Sequence, residues 1–288
     1  PNNKPPVLSV KDLEKKRKLI NGRTYANYGL YIGYNGENID EINKAENIAG
    51  VKVYEAHSTG EMGVVLESIE ELFKNVDKKI VVHAEDEDLI EANKKVFLAE
   101  FEGKEIDPSV HSKIRSPETA EKAVSFVCYL AGKYDKPIHI AHVSTEFEIE
   151  IIKKYRKNGV TCEVAPHHLA LSVDDYSTLG NLIKINPPVR DRMDIFAVWR
   201  SLKFGDIDII ATDHAPHTLE EKKLGYLEAP SGVPELDTFL PMFLNTVNDE
   251  GLTISELVLL CCERPAEIFK IKNKGKIEAG FDADLVVV

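Results

Sequence analysis

Ile207-Asp208-Ile209-Ile210-Ala211-Thr212-Asp213-His214-Ala215-Pro216-His217 is the stretch that decides how this chain folds. Its apolar start reads as a buried strand, and the strand finishes on an acid followed by two histidines. Parallel α/β folds build their sites from groups at such strand ends. The design recurs in Ile80-Val81-Val82-His83-Ala84-Glu85 and in Ile138-His139-Ile140-Ala141-His142. A fourth run, Val51-Lys52-Val53-Tyr54, places a lysine inside an apolar strand. Lys52, His83, His142 and Asp213 are therefore the candidate metal ligands, and Asp213 is also the candidate catalytic residue.

Strand-like and helix-like runs alternate along almost the whole chain, as in a parallel sheet wrapped in helices. The expected strands are 25–33, 51–56, 79–84, 137–143, 160–165, 182–186 and 206–213. Ser9 followed by Asp12, Ser116-Pro117-Glu118 and Ser144-Thr145-Glu146 mark helix starts. A length of 288 residues suits one (β/α)8 TIM barrel, a fold that commonly takes about 250. Pro1-Asn2-Asn3 begins where a strand should pass into a loop, so the expectation is seven barrel strands with the first missing. Residues 1–272 would form this barrel. Residues 273–288, ending in Ala283-Asp284-Leu285-Val286-Val287-Val288, would begin a small C-terminal β-sandwich domain.

A net charge of −12 argues against nucleic acid or an anionic membrane surface as partner. It leaves room for a small anionic substrate, because a metal ion can set the local sign inside a pocket. No run is long and apolar enough to span a membrane. Cys128, Cys162, Cys261 and Cys262 show no paired metal spacing. The last two adjoin in an apolar helical run, so buried thiols and a reducing, cytoplasmic setting fit best.

Strand alternation sorts the candidates by face. His142 shares a face with Ile138 and Ile140, which puts His139 on the other, packed beneath the helices. A single strand-end histidine is ordinarily a core or rim residue satisfied by hydrogen bonds; three converging ends read as ligands. Lys52 has two readings. On an edge strand it would face water; in a central strand an isolated ammonium is costly to bury and tends to lose its proton. A neutral amine can add carbon dioxide to form a carbamate, whose two oxygens can bridge two metals. Imidazole and carboxylate ligands suit zinc, which lowers the pKa of a bound water towards about 7.

Taken in order, these motifs resemble the dihydroorotase family of cyclic amidohydrolases. Lys52 in Lys-x-Tyr resembles the family's carboxylated bridging lysine. His83 in His-Ala-Glu and His142 in His-Val-Ser-Thr resemble the ligands of the second metal. Asp213 in Asp-His-Ala-Pro-His resembles the catalytic aspartate. The resemblance implies two zinc ions bridged by carboxylated Lys52. It also implies substrate contacts from Asn2, Asn186, His217, Ser231 and Gly232. The implied reaction is reversible cyclisation of N-carbamoyl-L-aspartate to L-dihydroorotate in pyrimidine synthesis. The family's His-x-His-x-Arg strand is missing from the sequence, which implies that two ligands of the first metal are lacking here. Hydantoinases, dihydropyrimidinases and allantoinases share the metal framework and are the competing activities. A metal-free, inactive partner of aspartate transcarbamoylase is the competing class. A homo-oligomer, or a complex with that enzyme, is the assembly the resemblance brings. His167-His168 reads as structural, Arg115 as the anchor of a helix start and His111 as a loop residue without catalytic work. His57 stays open between a substrate-facing role and simple exposure.

Overall fold

The computed structural model describes residues 3–55, 64 and 66–288. Six strands form one parallel sheet in chain order: β1 (Tyr31–Gly33), β2 (Gly50–Tyr54), β3 (Ile80–His83), β4 (Ile138–Ile140), β5 (Thr161–Val164) and β6 (Ile209–Ile210). Every residue of β2, β3 and β4 is buried, as expected for parallel strands covered on both faces. Helices follow the strands, and their starts obey local chemistry. The Ser9 hydroxyl accepts from the Asp12 amide, and Asp86 accepts from the Leu89 amide. Thr145 and Glu148 close a reciprocal capping box before Glu146–Lys154. Pro117 opens the long helix Pro117–Tyr134, where its missing N–H costs nothing. Among the described residues no helix is long and apolar enough to cross a membrane.

The register separates the two faces of the sheet. Val53, Val82, Ile140 and Cys162 lie side by side and pack with helix residues Val124, Val127 and Leu202 in the main core. The opposite row is Lys52, Val81, His139 and Thr161. This row faces the inside of the curved sheet, away from the helices. His139 is therefore not beneath the helices, as alternation from His142 suggests. Its ring contacts Thr161 Oγ1 at 2.8 Å and Glu163 Oε2 at 3.0 Å inside the sheet. The inference fails because β4 stops at Ile140, and His142 has a left-handed φ of 39°. Alternation cannot be carried through a residue that leaves the extended conformation.

Two further expectations change. The stretch expected as a strand at 182–186 is instead a short 3-10 turn (Gly180–Ile183) running into irregular chain. β5 pairs directly with β6, and residues 172–190 form an excursion closed by a bridge between Ser172 and Arg190. Pro187 and Pro188 supply no N–H to a sheet ladder, and Ile183 and Ile185 are buried against Tyr176, Val189 and Val233 in a cluster of their own. Residues 273–288 contain no strand. Ile277 and Val287 are almost fully exposed, and Lys274 holds the segment by pairing with Asp282 and Asp284.

Candidate active site

Lys52, Tyr54, His83, His142, Asn186 and Asp213 converge on one cavity of about 40 Å3, closed on its far side by Ala215 and Ser231-Gly232. Strand geometry places half of this set. Lys52 and Tyr54 are two apart on β2 and so share its inner face. β2 lies between β1 and β3, which rules out the edge-strand reading of the lysine. Lys52 is only 8% exposed. Burial pulls its amine below the usual lysine range, against the opposing pull of Glu163 and Asp213.

His83 ends β3, and its ring orientation is set from behind. Nε2 lies 2.8 Å from Glu85 Oε2, and Arg115 pairs with the same carboxylate oxygen. Burial alone would raise the Glu85 pKa, but Arg115 and His83 hold it down to about 2. An ionised carboxylate can only accept, so Nε2 of His83 carries the proton and Nδ1 offers its lone pair to the cavity. That Nδ1 sits 2.9 Å from His142 Nε2. Two nitrogens bound to one zinc at about 2.0–2.1 Å would be roughly 3.3 Å apart, so the pair is close to ligating distance. Burial keeps both imidazoles below the usual histidine range, the neutral form that a metal requires. His142 Nδ1 is buried without a hydrogen-bond partner.

His142 and Asp213 both reach the cavity through left-handed backbone, with φ of 39° and 46°. Such φ values in non-glycine residues cost about 1–2 kcal/mol and cluster at functional sites. Burial raises the Asp213 carboxyl to about 7, against the lowering effect of Lys52. Asp213 and Lys52 line the histidine cavity. Among the described residues, however, no three His, Cys, Asp or Glu side chains form a ready ligand cluster.

The substrate-side candidates are placed as follows. Asn186, Ser231 and Gly232 line the cavity. Gly232 has φ of 143°, and a Cβ there would fall 2.5 Å from the Ala215 carbonyl, so only glycine fits this wall. His217 stands just behind it, its Cδ2 3.2 Å from that same added Cβ. Asn2 and His57 lie outside the described residues.

Several contributors were not singled out by the sequence reading. Glu163 faces the inner row on β5, and the signal was present: a carboxylate in an apolar strand is as anomalous as Lys52. Lys222 donates to the carbonyls of Lys184, Pro230 and Gly232, and Lys184 donates to Ala229 O, so two buried amines hold the 226–232 loop in place. Lys184, between Ile183 and Ile185, carried the same signal as Lys52, while nothing in the local sequence marks Lys222. Arg115 does not anchor a helix start; it ends Val110–Ile114 and turns to Glu85. His111 is buried and hydrogen-bonded to Asn186 rather than idle in a polar loop. His167 and His168 are buried beside each other, bonded to Glu235 and to the Pro187 carbonyl, in keeping with a structural role.

Parallel strands thus deliver two adjacent imidazoles, a buried amine and a carboxyl group to one cavity. Residues 36–288 match the amidohydrolase family, and the chain belongs to it. It is 36% identical over 288 residues to a dihydroorotase of Pyrococcus horikoshii, covering all of this chain and 61% of that protein. It is 33% identical over 303 residues to a dihydroorotase of Methanosarcina acetivorans, covering all of this chain and 64% of the relative. Among solved structures it is similar to the L-hydantoinase (dihydropyrimidinase) of Arthrobacter aurescens. The TM-score is 0.91 at 30% identity, over 97% of this chain and 64% of that one. The chain thus spans under two thirds of the length of these relatives.

Proposed function

We propose that this chain carries the catalytic barrel of a dihydroorotase, which interconverts N-carbamoyl-L-aspartate and L-dihydroorotate. The observation that carries the reading is one cavity walled by Lys52, His83, His142 and Asp213 on the strand side and by Asn186 and Ser231-Gly232 on the loop side. The donor set fits a zinc centre: the His83 Nδ1 lone pair is freed by Glu85, His142 is neutral, and the Lys52 amine is held towards its neutral, carbamate-forming state. His83 and His142 would hold one ion, Asp213 the other, and carboxylated Lys52 would bridge them. When bound, zinc would supply hydroxide at neutral pH and polarise the amide carbonyl.

The chain's own residues do the rest. Asp213 takes the proton of the attacking water and returns it to the leaving ring nitrogen, a shuttle suited to a carboxyl poised near 7. Asn186 and the backbone of Ser231-Gly232 orient the ring, while His217 grips the substrate carboxylate. Glu85 and Arg115 keep His83 in one tautomer throughout. We also propose that residues 1–272 belong to the barrel and that 273–288, which form no strand of their own here, are the start of a small C-terminal β domain, for which the uncovered Ile277, Leu285 and Val287 offer apolar surface.

The likeness to an L-hydantoinase makes hydantoin the competing substrate. Comparing kcat/KM of the zinc-loaded, full-length protein on dihydroorotate, hydantoin and dihydrouracil tests the assignment. Dihydroorotate should be preferred at least tenfold. Equal or better turnover of hydantoin would move the activity to the sister enzymes.

A further inference from the structure

His111 is a buried histidine outside the candidate metal pair that reaches a residue of the cavity wall. It sits in the short helix Val110–Ile114, is 4% exposed, and makes contacts on both ring nitrogens. Nε2 faces two oxygens, the Ile185 carbonyl at 3.0 Å and Asn186 Oδ1 at 2.9 Å. Nδ1 faces the Tyr226 hydroxyl at 2.9 Å.

The protons can be placed by elimination. A backbone carbonyl is an acceptor only, so Nε2 must carry hydrogen. The Asn186 atom that faces the same N–H must then also be an acceptor, which makes it the oxygen and not the amide nitrogen. This holds without prior assignment of the asparagine amide, normally ambiguous by 180°. Tyr226 can donate to Nδ1 in turn. Burial, reinforced by Arg115 and Lys184, lowers the His111 pKa to about 3, so the ring stays neutral through the working range.

We infer that His111 is a positioning residue that locks the Asn186 amide with its NH2 group towards the cavity, so that position 186 reads an acceptor oxygen on the ligand. The ligand group at this point is therefore a carbonyl or carboxylate oxygen, and a ligand presenting N–H there is rejected. The inference rests on the reading of Asn186 as a substrate contact, but the tautomer does not depend on which cyclic amide is bound. Without His111 the amide can rotate freely and present its oxygen half the time. A ligand oxygen would then meet a like dipole, and binding would suffer before chemistry does.

The test uses the zinc-loaded, full-length protein. Imidazole nitrogen NMR of histidine-labelled protein should show His111 as the neutral Nε2–H tautomer, unchanged between about pH 5 and 9. An Nδ1–H tautomer, or a titration inside that window, overturns the proposal without touching the assigned activity. In kinetics, His111→Ala should raise KM about tenfold with kcat within about twofold and metal content unchanged. His111→Gln, whose amide can donate to Asn186 and accept from Tyr226, should restore most of the loss. Asn186→Asp keeps the acceptor for His111 but offers the ligand no N–H, so its KM should rise at least as much. Wild-type KM in both His111→Ala and Asn186→Asp would refute the locked-donor reading. Should dihydroorotate prove a poor substrate, the same comparison on hydantoin decides the point.

Discussion

Glu85→Gln probes the buried support of the site. Glu85 is fully buried, and one of its oxygens receives both His83 Nε2 and Arg115, itself only 8% exposed. Its other oxygen has no partner. The glutamine keeps the shape but removes the negative charge beside a buried guanidinium. Taking away one member of a buried ion pair costs about 3–5 kcal/mol. The new NH2 group would also occupy the place of the unpartnered oxygen, buried without an acceptor, at about 1–3 kcal/mol. We expect a net loss near 4 kcal/mol, against total stabilities of about 5–15 kcal/mol for folded domains. Trp199, the only tryptophan, donates to the Leu169 carbonyl and provides the fluorescence reporter for urea unfolding. Zinc affinity should fall about 10–100-fold, because the His83 tautomer is no longer fixed by a carboxylate. Adding Arg115→Met to Glu85→Gln should recover part of the stability but not the metal affinity. By contrast Glu150→Gln, which breaks a solvated pair with Lys153, should leave the midpoint nearly unmoved. A Glu85→Gln protein within about 1 kcal/mol of wild type, with unchanged zinc affinity, would refute the account of how His83 is held.

Lys52→Ala should lose bound metal and activity, with partial return on adding short carboxylic acids, as measured by metal analysis and turnover. The His111 pKa, lowered from 6.5 to about 3, means that the unfolded chain binds the extra proton first as pH falls. Stability should therefore drop as pH goes from about 6.5 towards 3, by up to about 1.4 kcal/mol per pH unit from this one group. Urea titrations should show a shallower slope for His111→Gln. Of the four cysteines, Cys128 is buried with its thiol pushed up to about 12, Cys162 is buried and also raised, and Cys261 is half-buried and raised to about 12. Cys262 is exposed, though partial burial and Glu263 raise its thiol as well, so at pH 8 native protein should show one thiol reacting ahead of the other three, and four reacting alike after denaturation.

The sequence carried the strand rhythm well because buried parallel strands are short apolar runs bounded by turn chemistry. Five of the seven expected strands contain the observed β2 to β6 or nearly so, and β1 is the last third of the first. The run at 182–186 misled because apolar residues in a loop that folds onto its own cluster look like a strand. Strand ends exposed Lys52, His83, His142 and Asp213, since each breaks an apolar pattern. What alternation could not supply was direction beyond the last paired residue, where His142 turns through positive φ. Lys184 broke an apolar run as Lys52 does and was passed over, whereas His111, Arg115 and Lys222 sit among polar neighbours, and only the fold brings His111 to Asn186 across 75 positions.

A zinc centre in this cavity underlies the roles proposed for Lys52, His83, His142 and Asp213. Diffraction from crystals of the zinc-loaded protein, recorded on both sides of the zinc absorption edge, tests that claim directly. The anomalous map should place one zinc within about 2.0–2.2 Å of His83 Nδ1 and His142 Nε2, with a second ion beside Asp213 and a carbamate on Lys52 between them. Anomalous peaks elsewhere, with the two histidines still hydrogen-bonded to each other and an unmodified Lys52, would contradict it.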